Sequence, residues 1–133
     1  MTNSRSLLWL DSDDHTISAG RRALQEQGWV VDQASSLVEA LDRISSNSYS
    51  AVILDLQLPD ILGTDAWTYI RKLKPDILGI MTTHSLSLFH YVRVDGDGLL
   101  AFLHKPLSMS VVMDILTNNA SRYRLVESDN AEK

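Results

Sequence analysis

The chain has no cysteine, so neither a disulfide framework nor thiolate chemistry, nucleophilic or metal-binding, is open to it. Long apolar runs are missing too. The opening MTNSRSLLWLDSDD carries a single Arg and an unbroken apolar stretch only from Leu7 to Leu10, too short for a signal-peptide core or a membrane span. Basic residues are few: 12 Lys and Arg against 17 Asp and Glu leave a net charge of −5. The cations are scattered and supply no electrostatic footprint for a nucleic-acid backbone. Direct nucleic-acid binding and membrane anchoring are therefore not expected, and a cytoplasmic location is. No internal repeat or low-complexity tract is visible.

What is present is the composition of an ordinary globular domain: 133 residues, 44% hydrophobic and 22% charged, enough for one core and too short for two. Short apolar runs at Leu7 to Leu10, Trp29 to Val31, Ala51 to Leu54, Ile77 to Met81 and Leu99 to Leu103 alternate with segments of helical period. That alternation predicts an α/β fold, a parallel sheet with helices on both faces. Leu37, Ala40, Leu41 and Ile44 follow helical spacing behind a capping Ser35 or Ser36. Val111, Val112, Ile115 and Leu116 do the same behind Ser108. The third helix is expected to bury Ala66, Ile70 and Leu73, and the first Ala19, Ala23 and Leu24, with Gly20 lowering its propensity and Gly28 marking its end. The fourth crossover, SLSLFHYVRVDGDG, reads as short or irregular, since its aromatic and β-branched residues form no clean face. One domain is expected over residues 5–123, with residues 124–133 a frayed, charged tail.

In a doubly wound sheet, ligands bind outside the carboxyl ends of the strands. Asp11, Asp55, Thr83 and Lys105 end the first, third, fourth and fifth strands, so four polar side chains are expected on one rim. A carboxylate is a nucleophile toward a phosphoryl donor, and Asp55 is placed to serve. A hard divalent cation needs one or two carboxylates and a carbonyl, which Asp11, Asp55 and the Gln57 backbone carbonyl can supply. Lys105 and Thr83 are placed to hold the remaining phosphoryl oxygens.

The segment AVILDLQLPDILG, with Asp55, Leu58, Pro59 and Gly63, resembles the phosphoacceptor segment of response-regulator receiver domains. FLHKP at Phe102 to Pro106 resembles their lysine-proline segment, and the resemblance runs from about Leu7 to about Leu116. It implies a flavodoxin-like (βα)5 fold with five parallel strands in the order 2-1-3-4-5. It also implies a two-component, His-to-Asp phosphorelay role: Mg²⁺- or Mn²⁺-dependent phosphorylation of Asp55, with Thr83 moving toward the phosphoryl group and Phe102 swinging inward. The expected output surface comprises the fourth crossover, the fifth strand and the last helix, where a downstream protein or a second copy of the chain would bind. A sensor histidine kinase or a phosphotransfer protein is the expected donor, and the chain is expected to be a switch, not an enzyme.

Two positions depart from the family pattern. Ser12 stands where the second of two adjacent acids is usual, so the metal should bind weakly unless Asp13 or Asp14 substitutes. His84 follows Thr83 where a small residue is usual, bordering the path of the donor. These departures keep a second reading open, a pseudo-receiver acting as a constitutive interaction module without phosphorylation. A flavodoxin-like cofactor binder is a third, but DSDDH is acidic and suits a cation better than a phosphate. The DGDG run at Asp95 to Gly98 lacks the remaining positions of a calcium loop and reads as a turn. His15, His84, His90 and His104 lack zinc-site spacing. Trp9, Trp29 and Trp67 read as packing residues.

Overall fold

The computed structural model of the chain describes residues 5–85, 87–88 and 98–117. Most of the fourth crossover, the end of the expected domain at residues 118–123 and the expected tail at residues 124–133 lie outside the described residues. Within them the chain runs β1 (Ser6–Leu10), α1 (Asp14–Glu26), β2 (Val30–Ala34), α2 (Leu37–Ser46), β3 (Ala51–Asp55), α3 (Gly63–Leu73), β4 (Leu78–Thr83), β5 (Leu99–His104) and α4 (Met109–Thr117). The strands form one parallel sheet in the order β2-β1-β3-β4-β5, the expected topology.

β1 and β3 are buried along their whole length, which is why they read as apolar runs without alternation. Their side chains divide between two core layers. Leu8, Leu10, Val52, Leu54, Met81 and Phe102 pack on one face with α2 and α3. Leu7, Trp9, Ile53, Ile80, Ala101 and Leu103 pack on the other, against Ile17 and Leu24 of α1 and Val112, Ile115 and Leu116 of α4.

Three local expectations need correction. β2 was expected at Trp29 to Val31 and runs instead from Val30 to Ala34. It is an edge strand, and its half-buried polar residues find partners beside it: Asp32 accepts from the Tyr49 hydroxyl at 2.6 Å and Gln33 from Arg21 at 2.7 Å. Polar residues satisfied in this way conceal a strand from a hydrophobicity reading. In α3 the buried stripe passes through Trp67 and leaves Leu73 54% exposed, because the indole fills the space left above Gly79.

In α1 the buried residues are Ile17, Gly20 and Leu24. A Cβ at Gly20 would lie 2.5 Å from Trp9 Cη2 and 2.9 Å from Met109 Sδ, so this glycine admits the ring of a fully buried tryptophan beneath the helix. Gly20→Ala is accordingly expected to destabilise the fold by about 1–3 kcal/mol despite the better helix propensity of alanine, read as a lowered urea midpoint. The remaining helix signals agree with expectation. Ser36 caps α2, its Oγ accepting from Glu39 N at 3.2 Å, and Ser108 accepts from Val111 N at the start of α4. At Gly28, φ +90, the last carbonyls of α1 are closed by Gly28 N to Gln25 O and Trp29 N to Leu24 O, a Schellman arrangement.

Candidate functional site

The carboxyl ends of β1, β3 and β5 bring three charged side chains into one buried cluster. Lys105 Nζ donates to Asp11 Oδ2 at 2.7 Å and to Asp55 Oδ2 at 3.2 Å. Asp11 is 0%, Asp55 4% and Lys105 8% exposed. Each carboxylate is oriented by its own loop through its second oxygen: Asp11 Oδ1 accepts from Asp13 N at 2.9 Å and Asp55 Oδ1 from Gln57 N at 3.2 Å. These Asx turns aim both acids inward, across the top of the sheet.

The loop after Asp55 is anchored at two points. Gly63 N donates to Leu56 O, and a Cβ on Gly63 would lie 2.4 Å from the Asp55 carbonyl oxygen, so α3 can start this close to the strand end only with glycine there. Asp60 accepts from Leu37 N and Val38 N at the start of α2, where a carboxylate meets the positive end of a helix. The reading of the sequence missed this role of Asp60. Its signal is an acid in the loop after β3 whose partner is a helix start 23 residues earlier, a relation only the fold reveals.

Two acids and one ammonium leave the cluster with a surplus negative charge in a poorly hydrated place. Burial pushes the Asp11 carboxyl above its usual range, against the opposing hydrogen bond from Lys105. At Lys105 burial pulls the ammonium down, but the hydrogen bond to Asp11 and the charges of both acids outweigh it, and the net direction is upward. The lysine is therefore held charged between two carboxylates.

The remaining expected residues lie around this cluster. Thr83 is fully buried, but its Oγ1 accepts from Ser85 N at 3.0 Å and it is not hydrogen-bonded to the acids. Strand alternation puts it on the face of Met81 and Phe102, whereas Asp11, Asp55 and Lys105 continue the opposite face, that of Trp9, Ile53 and Leu103. Phe102 is buried in the layer with Leu54 and Met81. Ser12 is exposed. Asp13 caps α1, accepting from His15 N and Thr16 Oγ1, and Asp14 accepts from Gln33. Asp13 and Asp14 are thus hydrogen-bonded to α1 and β2. His84 is exposed at the rim, and its carbonyl lies 3.3 Å from His104 Nε2. Among the described residues no group of three or more His, Cys, Asp or Glu side chains stands together as a metal site, and no helix is long and apolar enough to cross a membrane.

Comparison with known proteins is consistent with this geometry. Residues 7–117 match the model of the response regulator receiver domain. The response regulator MprA of Mycobacterium sp. (strain KMS) is 29% identical over 107 residues, 80% of this chain and 46% of that protein, so the chain spans less than half the length of this relative. Among solved structures, the CheY-like receiver domain protein of Methanospirillum hungatei JF-1 superposes with a TM-score of 0.78 at 25% identity, covering 86% of this chain and 92% of that one. TrrA of Thermotoga maritima, solved in complex with Mg²⁺ and BeF, gives 0.72 at 26% identity and covers 85% and 96%. A doubly wound sheet in the receiver order, paired carboxylates and a lysine at its carboxyl edge, and a family match over most of the chain lead to one conclusion: the protein belongs to the response-regulator receiver domain family of two-component signalling.

Proposed function

We propose that this receiver is a phosphorylatable switch in which Asp55 accepts a phosphoryl group from a phosphohistidine, on a sensor histidine kinase or a phosphotransfer protein. The observation that carries the reading is the buried Asp11–Lys105–Asp55 cluster. A carboxylate oxygen of Asp55 attacks phosphorus; the new P–O bond forms as the P–N bond breaks, and the departing imidazole keeps the electron pair and takes up a proton. Lys105, already between the acids, transfers one of its hydrogen bonds to a phosphoryl oxygen and offsets the developing charge.

The donor set also suits a hard cation. Asp11 and Asp55 are oxygen ligands carrying more negative charge than Lys105 neutralises, and with the Gln57 carbonyl they would hold Mg²⁺ or Mn²⁺. When bound, the ion would neutralise charge on the phosphoryl oxygens. Ser12 contributes no carboxylate, and Asp13 and Asp14 are occupied elsewhere, so the affinity is expected to be low. Ser12→Asp is expected to tighten metal binding about tenfold by raising the ligand charge, measured by titrating tryptophan fluorescence with the metal alone. An unchanged affinity would show that position 12 does not reach the ion.

Phosphorylation brings close to two negative charges. In this reading Thr83 leaves Ser85 for the phosphoryl group, and Phe102, on the same face of the sheet, moves into the space released. The fourth crossover, β5 and α4 then present a changed surface to a downstream protein or a second copy of the chain. The net charge of −5 argues against direct contact with nucleic acid, and a cytoplasmic place fits a partner kinase. The direct test is intact-mass measurement after incubation with acetyl phosphate and Mg²⁺: a phosphoryl adduct mapped to Asp55 is expected, and its absence at excess donor overturns the reading. The missing acid at Ser12 favours one alternative, a pseudo-receiver that holds its partner constitutively. In that case Asp55→Asn leaves partner affinity unchanged.

A further inference from the structure

Thr82 is fully buried, and its hydroxyl has no hydrogen-bond partner among the described residues. Its backbone is ordinary strand, the carbonyl accepting from Leu56 N at 2.8 Å. The sheet register pairs Thr82 with Asp55 on β3 and with Leu103 on β5, one strand spacing away on each side, about 4.8 Å. Alternation from Ile80, which packs in the layer of Trp9, Ile53 and Leu103, puts the Thr82 side chain on the face that also carries Asp11, Asp55 and Lys105. The orphan hydroxyl therefore stands beside the acid that the preceding reading phosphorylates.

A buried hydroxyl without a partner is costly, and a valine of nearly the same shape would fill the position without that cost. Such a group is explained if it gains its partner in another state of the molecule. A phosphoryl group on Asp55 adds three strong acceptor oxygens beside a donor that is buried, preorganised and free of competing bonds. Thr83, the hydroxyl expected from the sequence, lies by strand alternation on the opposite face and accepts from Ser85 N.

We propose that Thr82 is a positioning residue of the phosphorylated state, its hydroxyl donating to the acyl phosphate on Asp55 and protecting it from hydrolysis. The proposal rests on Asp55 being the phosphoacceptor. The test compares Thr82→Val, Thr82→Ser and wild type in two measurements: the half-life of the phosphoryl adduct after removal of acetyl phosphate, and the urea midpoint of the unmodified protein. The expected result is a half-life shortened at least about fivefold in Thr82→Val and restored by Thr82→Ser, with an unmodified Thr82→Val protein that is no less stable than wild type. A half-life that is unchanged or longer in Thr82→Val overturns the proposal, as does a lowered urea midpoint, which would mean that the hydroxyl has a partner at rest. Thr82→Ala deletes the hydroxyl a second way and is expected to shorten the half-life as Thr82→Val does. If wild type takes no phosphoryl group, the phosphoacceptor reading fails and this proposal with it; if wild type is modified and the variants match it, this proposal alone fails.

Discussion

Lys105→Met is expected to destabilise the folded chain by about 3–5 kcal/mol at neutral pH, because it removes the one ammonium between two buried carboxylates and leaves both uncompensated. The methionine chain retains most of the apolar contact of the lysine stem, so the loss reports charge rather than volume. The pH dependence has a definite sign. The pKa of Lys105 is raised in the folded state, so the stability it contributes is fully present below the ordinary lysine range, about pH 10.5. It is lost as pH climbs through the higher folded value. Asp11 is raised as well: its contribution is present below the ordinary carboxylate range and is lost as pH rises through the folded value, so at neutral pH its ionisation costs stability. Without Lys105 that cost grows. The variant should therefore regain stability as pH falls from neutral toward the carboxylate range, while the wild type gains less. Urea unfolding curves across that range check both statements; a variant within about 1 kcal/mol of wild type at pH 7 would show that water, not Lys105, compensates the acids.

Asp55→Asn acts on the same cluster with the opposite sign for stability and a complete effect on chemistry. The amide has no carboxylate oxygen to attack phosphorus, so the phosphoryl adduct should disappear from the intact-mass spectrum at any donor concentration. The fold should keep or gain stability. Lys105 retains its 2.7 Å bond to Asp11, and the charge removed is one of those pushing the Asp11 carboxyl up. Two carboxylates sharing one lysine become one carboxylate with one lysine, a pairing without surplus charge. The contrast between a destabilising Lys105→Met and a neutral or stabilising Asp55→Asn distinguishes an excess of buried negative charge from a cluster that merely packs well. An adduct persisting in Asp55→Asn would place the phosphoacceptor elsewhere.

The main features legible in the sequence were those whose physical cause is local. Apolar runs with no alternation signalled strands buried on both faces, and Ser36, Ser108 and Gly28 marked helix ends by chemistry that needs no tertiary contact. Asp11, Asp55 and Lys105 were legible because side chains that end neighbouring parallel strands must emerge on one edge. β2 was misplaced because its polar residues are satisfied by Tyr49 and Arg21, which approach from elsewhere in the chain. Leu73 was expected in the buried stripe of α3 and lies exposed, because helical period identifies a stripe several residues wide and not the residues the sheet has room for.

From residue types and their order alone came the fold class and the expectation that Asp11, Asp55, Thr83 and Lys105 gather at the carboxyl edge of the sheet. What only the tertiary structure decided is which neighbours each polar group meets. It shows Lys105 shared between two acids, Asp13 and Asp14 hydrogen-bonded to α1 and β2, and Thr83 accepting from Ser85 N. Strand register and facing depend on how the strands align, and hydrogen-bond partners are chosen across dozens of residues of sequence; neither is encoded in the local pattern of any one segment.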